Sequence, residues 1–132
     1  MNIDHIAIVV HDVEKAASKY KNILQVDKIQ FETVDTEGVK LAILKLNNGR
    51  IELMQPLKLD SPIQKFLDKN GEGLHHIALQ TNNLDNTIKN MKNNCAIKFL
   101  GDVRTGSENT KIIFAHPKSL HGVLLELCSY RD

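Results

Sequence analysis

The sequence predicts an α+β fold of two successive βαβββ modules, and three observations carry that expectation. The first is an internal repeat. Ile3-Asp4-His5-Ile6-Ala7-Ile8 returns as Leu74-His75-His76-Ile77-Ala78-Leu79, an offset of 71 (76 minus 5). The second is that each copy is followed by the same succession of periods: strand, amphipathic helix, then three more strands. The third is the match further along. Asp12-Val13-Glu14-Lys15 aligns with Asn83-Leu84-Asp85-Asn86, Lys21-Asn22 with Lys92-Asn93, and Ile51-Glu52-Leu53 with Leu125-Glu126-Leu127.

Residues 3–10 are aliphatic and β-branched, which suits a first strand. Asp12 is the expected N-cap of the helix that follows. Val13, Ala16, Ala17, Tyr20 and Leu24 recur at helical spacing and form its apolar stripe. Residues 28–34, 39–47 and 50–55 then read as strands. Asn47-Asn48-Gly49 has hairpin chemistry, because Asn and Gly tolerate positive φ. In the linker, Ser61-Pro62 predicts the start of a short helix over 62–69, ended near Asn70-Gly71. The second helix stripe is Leu84, Ile88, Met91 and Cys95, and strands are expected near 96–101, 110–116 and 122–128. The whole chain reads as one domain over 1–132: module one about 1–56, linker 57–72, module two about 73–132.

With 132 residues there is room for one compact domain. A net charge of +1 speaks against a nucleic-acid partner, which would need a concentrated basic face. No apolar run approaches the roughly 20 residues needed to span a membrane. The run from Met1 to His5 shows no charged leader with an apolar stretch behind it. Cys95 and Cys128 are far apart in apolar settings and read as reduced core thiols. A cytoplasmic protein is expected; a mitochondrial matrix protein without its transit peptide would look the same.

Strand side chains alternate between faces. Ile6, Ile8 and Val10 oppose His5, Ala7 and Val9. Ile51 and Leu53 oppose Arg50, Glu52 and Met54. Ile77 and Leu79 oppose His76, Ala78 and Gln80. Leu125 and Leu127 oppose Leu124, Glu126 and Cys128. The aliphatic faces should meet the helices, and the other faces bring up His5, Glu52, His76 and Glu126. A single His on a strand is more often structural than a ligand, and a single Glu is usually solvated. Two of each at equivalent repeat positions call for a shared role. The repeat also chooses between adjacent histidines, since His76 aligns with His5 and His75 with Asp4. If the modules lie side by side with pseudo-twofold symmetry, the four converge. Such a mixed N/O set suits Co²⁺, Ni²⁺, Mn²⁺ or Zn²⁺, and its two carboxylates balance a 2+ charge.

Asp4-His5-Ile6-Ala7-Ile8, Ile51-Glu52-Leu53 and Leu125-Glu126-Leu127 resemble the ligand strands of the vicinal-oxygen-chelate superfamily. The run from Asp60-Ser61-Pro62-Ile63 through Gly73-Leu74-His75-His76-Ile77 is similar to that of methylmalonyl-CoA epimerases. So is His116-Pro117-Lys118-Ser119 followed by Gly122-Val123-Leu124-Leu125-Glu126-Leu127. The resemblance covers nearly the whole chain. It implies two side-by-side βαβββ modules forming a curved mixed sheet around a metal site, with Co²⁺ foremost among the ions. It also implies a homodimer and an acyl-CoA substrate of malonyl type.

The chemistry so implied is epimerisation through an enolate, with His5, Glu52, His76 and Glu126 as metal ligands. Glu126 is the first candidate base. Some family members carry a second Glu in the third strand; Leu41 stands there in this chain, so the opposite base moves to another residue, Glu52 being the candidate. The loop Gly106-Ser107-Glu108-Asn109 departs from the Gly-Ala-His-Gly-like loop of many epimerases. Lys118 is retained and could pair with a substrate carboxylate or a CoA phosphate. His11, His116 and His121 read as turn or helix-entry residues.

Two rivals share the fold. Glyoxalase I has a similar ligand set but acts on a glutathione hemithioacetal, and turnover of methylglyoxal with glutathione would reveal it. Antibiotic-sequestering proteins bind through aromatic walls, and only 5% of this chain is aromatic.

Overall fold

The structure is a computed structural model and describes residues 1–131. It divides into two compact units, His5–His75 and a second comprising Met1–Asp4 with the chain from His76 onward. Each carries one βαβββ pattern. The first repeat comprises β1 (Asn2–Val9), α1 (Val13–Leu24), β2 (Gln30–Val34), β3 (Val39–Leu46) and β4 (Gly49–Pro56), followed by α2 (Pro62–Asn70). Their strands run in the order β2-β3-β4-β1, with β1 parallel to β4 and the other pairs antiparallel. In the second come β5 (Gly73–Gln80), α3 (Leu84–Asn94), β6 (Phe99–Thr105), β7 (Thr110–Ala115) and β8 (Leu125–Tyr130). Their order is β5-β8-β7-β6, again with one parallel pair, β5 and β8.

Local chemistry sets the helix ends. The Asp12 carboxylate accepts from the backbone N–H groups of Glu14 and Lys15, both at 3.1 Å. Ser61 caps α2 through Gln64 N–H at 3.1 Å, with Pro62 in the first turn, and Asn83 caps α3 through Asn86 N–H at 3.1 Å. Each cap satisfies a donor that the helix cannot, worth about 1 kcal/mol. α1 lays Val13 and Ala17, with Ala16, Tyr20 and Leu24, against Ala42, Leu44 and Leu53. α3 lays Leu84 and Met91 against Ile113, Ala115 and Leu127. Leu53 and Leu127 are fully buried, each contributing roughly 1.5–3 kcal/mol.

Several details differ from the sequence reading. Asn47 and Asn48 keep negative φ, and Gly49 alone takes the positive value, 153°. β6 starts at Phe99 rather than 96, because Ala96 turns the chain with φ 56° and Ile97 N–H bonds back to Met91. β8 starts at Leu125 rather than 122, because His121 and Gly122 form a left-handed turn (φ 55° and 88°). Cys95 lies just past the end of α3 and is exposed, so it is no core thiol; Cys128 is buried, and no disulfide joins the two. Ile77 is 39% exposed, so the aliphatic face of β5 packs mainly through Leu79. Among the described residues no helix is long and apolar enough to cross a membrane.

Candidate functional site

Two buried His–Glu pairs occupy equivalent ladder positions. In the first unit Ala7 stands opposite Glu52 across the parallel β1–β4 pair, with His5 two residues earlier on the same face. In the second, Ala78 stands opposite Glu126 across β5–β8, with His76 two residues earlier. The small alanine lets each histidine lean toward the glutamate on the neighbouring strand. His5 Nδ1 lies 3.3 Å from Glu52 Oε2, and His76 Nε2 lies 3.5 Å from Glu126 Oε1. All four are under 8% exposed. Burying a carboxylate costs several kcal/mol unless it is paired, so such pairs are kept for what they bind or hold. Each pair offers an imidazole nitrogen and a carboxylate oxygen, and its members belong to groups of His, Asp and Glu side chains that could hold a metal ion.

The surroundings of the two pairs differ. Beside the first, the Arg50 guanidinium is buried on the same face, its Nη2 2.9 Å from Glu52 Oε2 and 3.3 Å from His5 Nδ1. Beside the second, Phe114 stands opposite Glu126 on β7 and meets the His76 ring edge-on at 5.1 Å. The rest of the His5 face is apolar: Ala7, Val9, Leu41, Ile43 and Met54 pack with Ile63, Phe66 and Leu67 of α2. Leu41 is buried in that wall, and its partner on β2 is Glu32. His75 points elsewhere, its ring meeting Phe66 at 4.9 Å, and burial pushes its pKa down from 6.5 to about 4.

Lys118 follows the His116 cap of a short 3-10 turn, where His116 Nδ1 accepts from Lys118 N–H at 3.0 Å. It lines a cavity of about 520 Å³ with Ala96, Lys98, His116 and Ser119; neither His76 nor Glu126 lines it. In the 106–109 loop, Ser107 and Thr110 are buried and Thr110 Oγ1 donates to the Ser107 carbonyl at 2.7 Å. Arg50 is the member of the His5 cluster to which sequence reasoning gave no role. The signal was there: alternation puts a cation on the same face as His5 and Glu52.

The sequence profile of the Glyoxalase/Bleomycin resistance protein/Dioxygenase superfamily matches residues 4–114. The mitochondrial methylmalonyl-CoA epimerase of Homo sapiens is 38% identical over 95% of this chain and 72% of that protein. The ethylmalonyl-CoA/methylmalonyl-CoA epimerase of Cereibacter sphaeroides is 34% identical over 95% of each chain. A solved Streptomyces coelicolor methylmalonyl-CoA epimerase variant, in complex with 2-nitronate-propionyl-CoA, superposes with a TM-score of 0.94. It shares 35% identity over 100% of this chain and 96% of its own.

Proposed function

Because this chain belongs to the methylmalonyl-CoA epimerase family of the glyoxalase/bleomycin resistance protein/dioxygenase superfamily, we propose that it interconverts (2R)- and (2S)-methylmalonyl-CoA by moving the α-proton. The observation that carries the reading is the pair of buried His–Glu couples at equivalent register, on a chain that matches epimerases nearly end to end.

His5, Glu52, His76 and Glu126 are assigned as the ligands of one divalent ion, Co²⁺ first, with Ni²⁺, Mn²⁺ or Zn²⁺ as alternatives. When bound, such an ion supplies Lewis-acid stabilisation of the negative charge that develops on the thioester oxygen. The remaining work belongs to side chains. Glu126 takes the α-proton on one face of the substrate, and Glu52 returns one on the other. The apolar wall of Ala7, Val9, Leu41, Ile43 and Met54 keeps water from that side, protecting the carbanionic species from stray protonation. Lys118, beside Lys98 and His116, is assigned to a phosphate of the CoA moiety. We further infer a cytoplasmic homodimer serving propionate metabolism, the dimer resting on the family.

The test follows α-proton exchange in deuterium oxide. Protein stripped of metal and reloaded with Co²⁺ is given either epimer of methylmalonyl-CoA. Deuterium incorporation with interconversion is expected, abolished by chelator and reduced about 10²–10⁴-fold in Glu126→Gln. No exchange in the loaded protein, with turnover of methylglyoxal plus glutathione, would replace this reading by that of a glyoxalase.

A further inference from the structure

We propose that Arg50 is a positioning residue for Glu52 and the built-in countercharge of a donor set that holds two carboxylates. The ion-binding half of this inference rests on the function proposed above. The repeat isolates the residue. Two positions before Glu52 stands Arg50, and two before Glu126 stands Leu124, so the guanidinium belongs to one half only. It is 8% exposed, and Nη2 reaches both Glu52 Oε2 at 2.9 Å and His5 Nδ1 at 3.3 Å.

Desolvation opposes burying a guanidinium, and only a partner of matching geometry offsets it. One guanidinium nitrogen, Nη2, reaches both the Glu52 carboxylate and the His5 ring, and so ties the two together. Arg50 therefore holds Glu52 in place before any ion arrives. It also repels a divalent cation and holds the affinity below what two carboxylates alone would give.

The experiment is a double-mutant cycle on the metal-free protein, read by thermal unfolding, with Arg50→Met, Glu52→Gln and the double variant. Arg50→Met alone is expected to lower Tm by about 10 °C or more, because it removes the permanently charged partner of a buried carboxylate. Glu52→Gln in that background recovers at least half of the loss. Additive losses, or a double variant that does not fold, would overturn the inference, since Arg50 would then serve something other than Glu52. Isothermal titration with Co²⁺ reads the countercharge. Arg50→Met, measured in the cold where it is folded, is expected to bind about tenfold tighter, and Arg50→Lys within about threefold of the parent. Unchanged or weaker binding by Arg50→Met overturns the countercharge role. A parent protein that binds Co²⁺ but exchanges no α-proton counts against the epimerase reading and leaves this inference standing.

Discussion

Tyr130 Oη donates a 2.6 Å hydrogen bond to Asp4 Oδ1, joining the end of β8 to the residue before His5 across 126 positions of chain. Asp4 is buried, so its charge needs such partners. Tyr130→Phe removes a bond to a charged group and is expected to cost about 1–3 kcal/mol in urea unfolding. A change below about 0.5 kcal/mol, less than a net hydrogen bond is worth, would mean that the bond contributes nothing to folding.

Gly106 is required by close approach rather than by a special φ. A Cβ there would meet Ile112 Cγ2 at 2.6 Å and Thr110 Oγ1 at 2.9 Å. Gly106→Ala is expected to destabilise by about 1–3 kcal/mol, as overpacking does. It should also disturb the bond between Thr110 and the Ser107 carbonyl. Melting of the variant at the parent temperature would contradict the packing described here.

His75 gives stability a specific pH dependence. Folded, it stays neutral down to about pH 4, because burial disfavours its charged form; unfolded, it protonates near 6.5. Between those values the unfolded chain binds more protons, so this contribution falls as the pH is lowered from 6.5 to 4 and is constant outside that window. His75→Phe should flatten the metal-free stability curve over that range while leaving it parallel to the parent above pH 7. Identical slopes in both proteins would refute the assignment.

The two thiols should react at different times. Cys95 is exposed and Cys128 is buried. A thiol reagent is expected to label one equivalent in the native protein and the second only on unfolding. Prompt labelling of both would contradict the burial of Cys128.

Much of the fold was legible because its signals are local. Asp12, Ser61-Pro62 and Asn83 announce helix starts through side-chain acceptors, and period-two alternation puts His5 on one face with Ala7 and Val9. What was hidden depends on partners distant in sequence. Cys95 fits the helical stripe, yet the helix ends at Asn94 and the left-handed Ala96 turns the chain away. Arg50 shares a face with Glu52 in any strand reading. Its burial, however, follows from the pairing of His5 with Arg50 across β1 and β4, which neither strand states alone. The same holds for α2: its length was predictable, but its place over Leu41 and Met54, which makes the His5 face largely apolar, was not.

The division of β1 has a practical meaning for anyone handling this polypeptide. Met1–Asp4 belongs with the unit that begins at His76, not with the one that begins at His5. The repeats of the sequence are thus not the same as the compact units in space. Expressing residues 73 onward as a free-standing half would leave behind the tetrapeptide that carries Asp4, the acceptor of Tyr130. A bulky fusion or proteolytic nick at the amino terminus would likewise register first in the carboxy-terminal half.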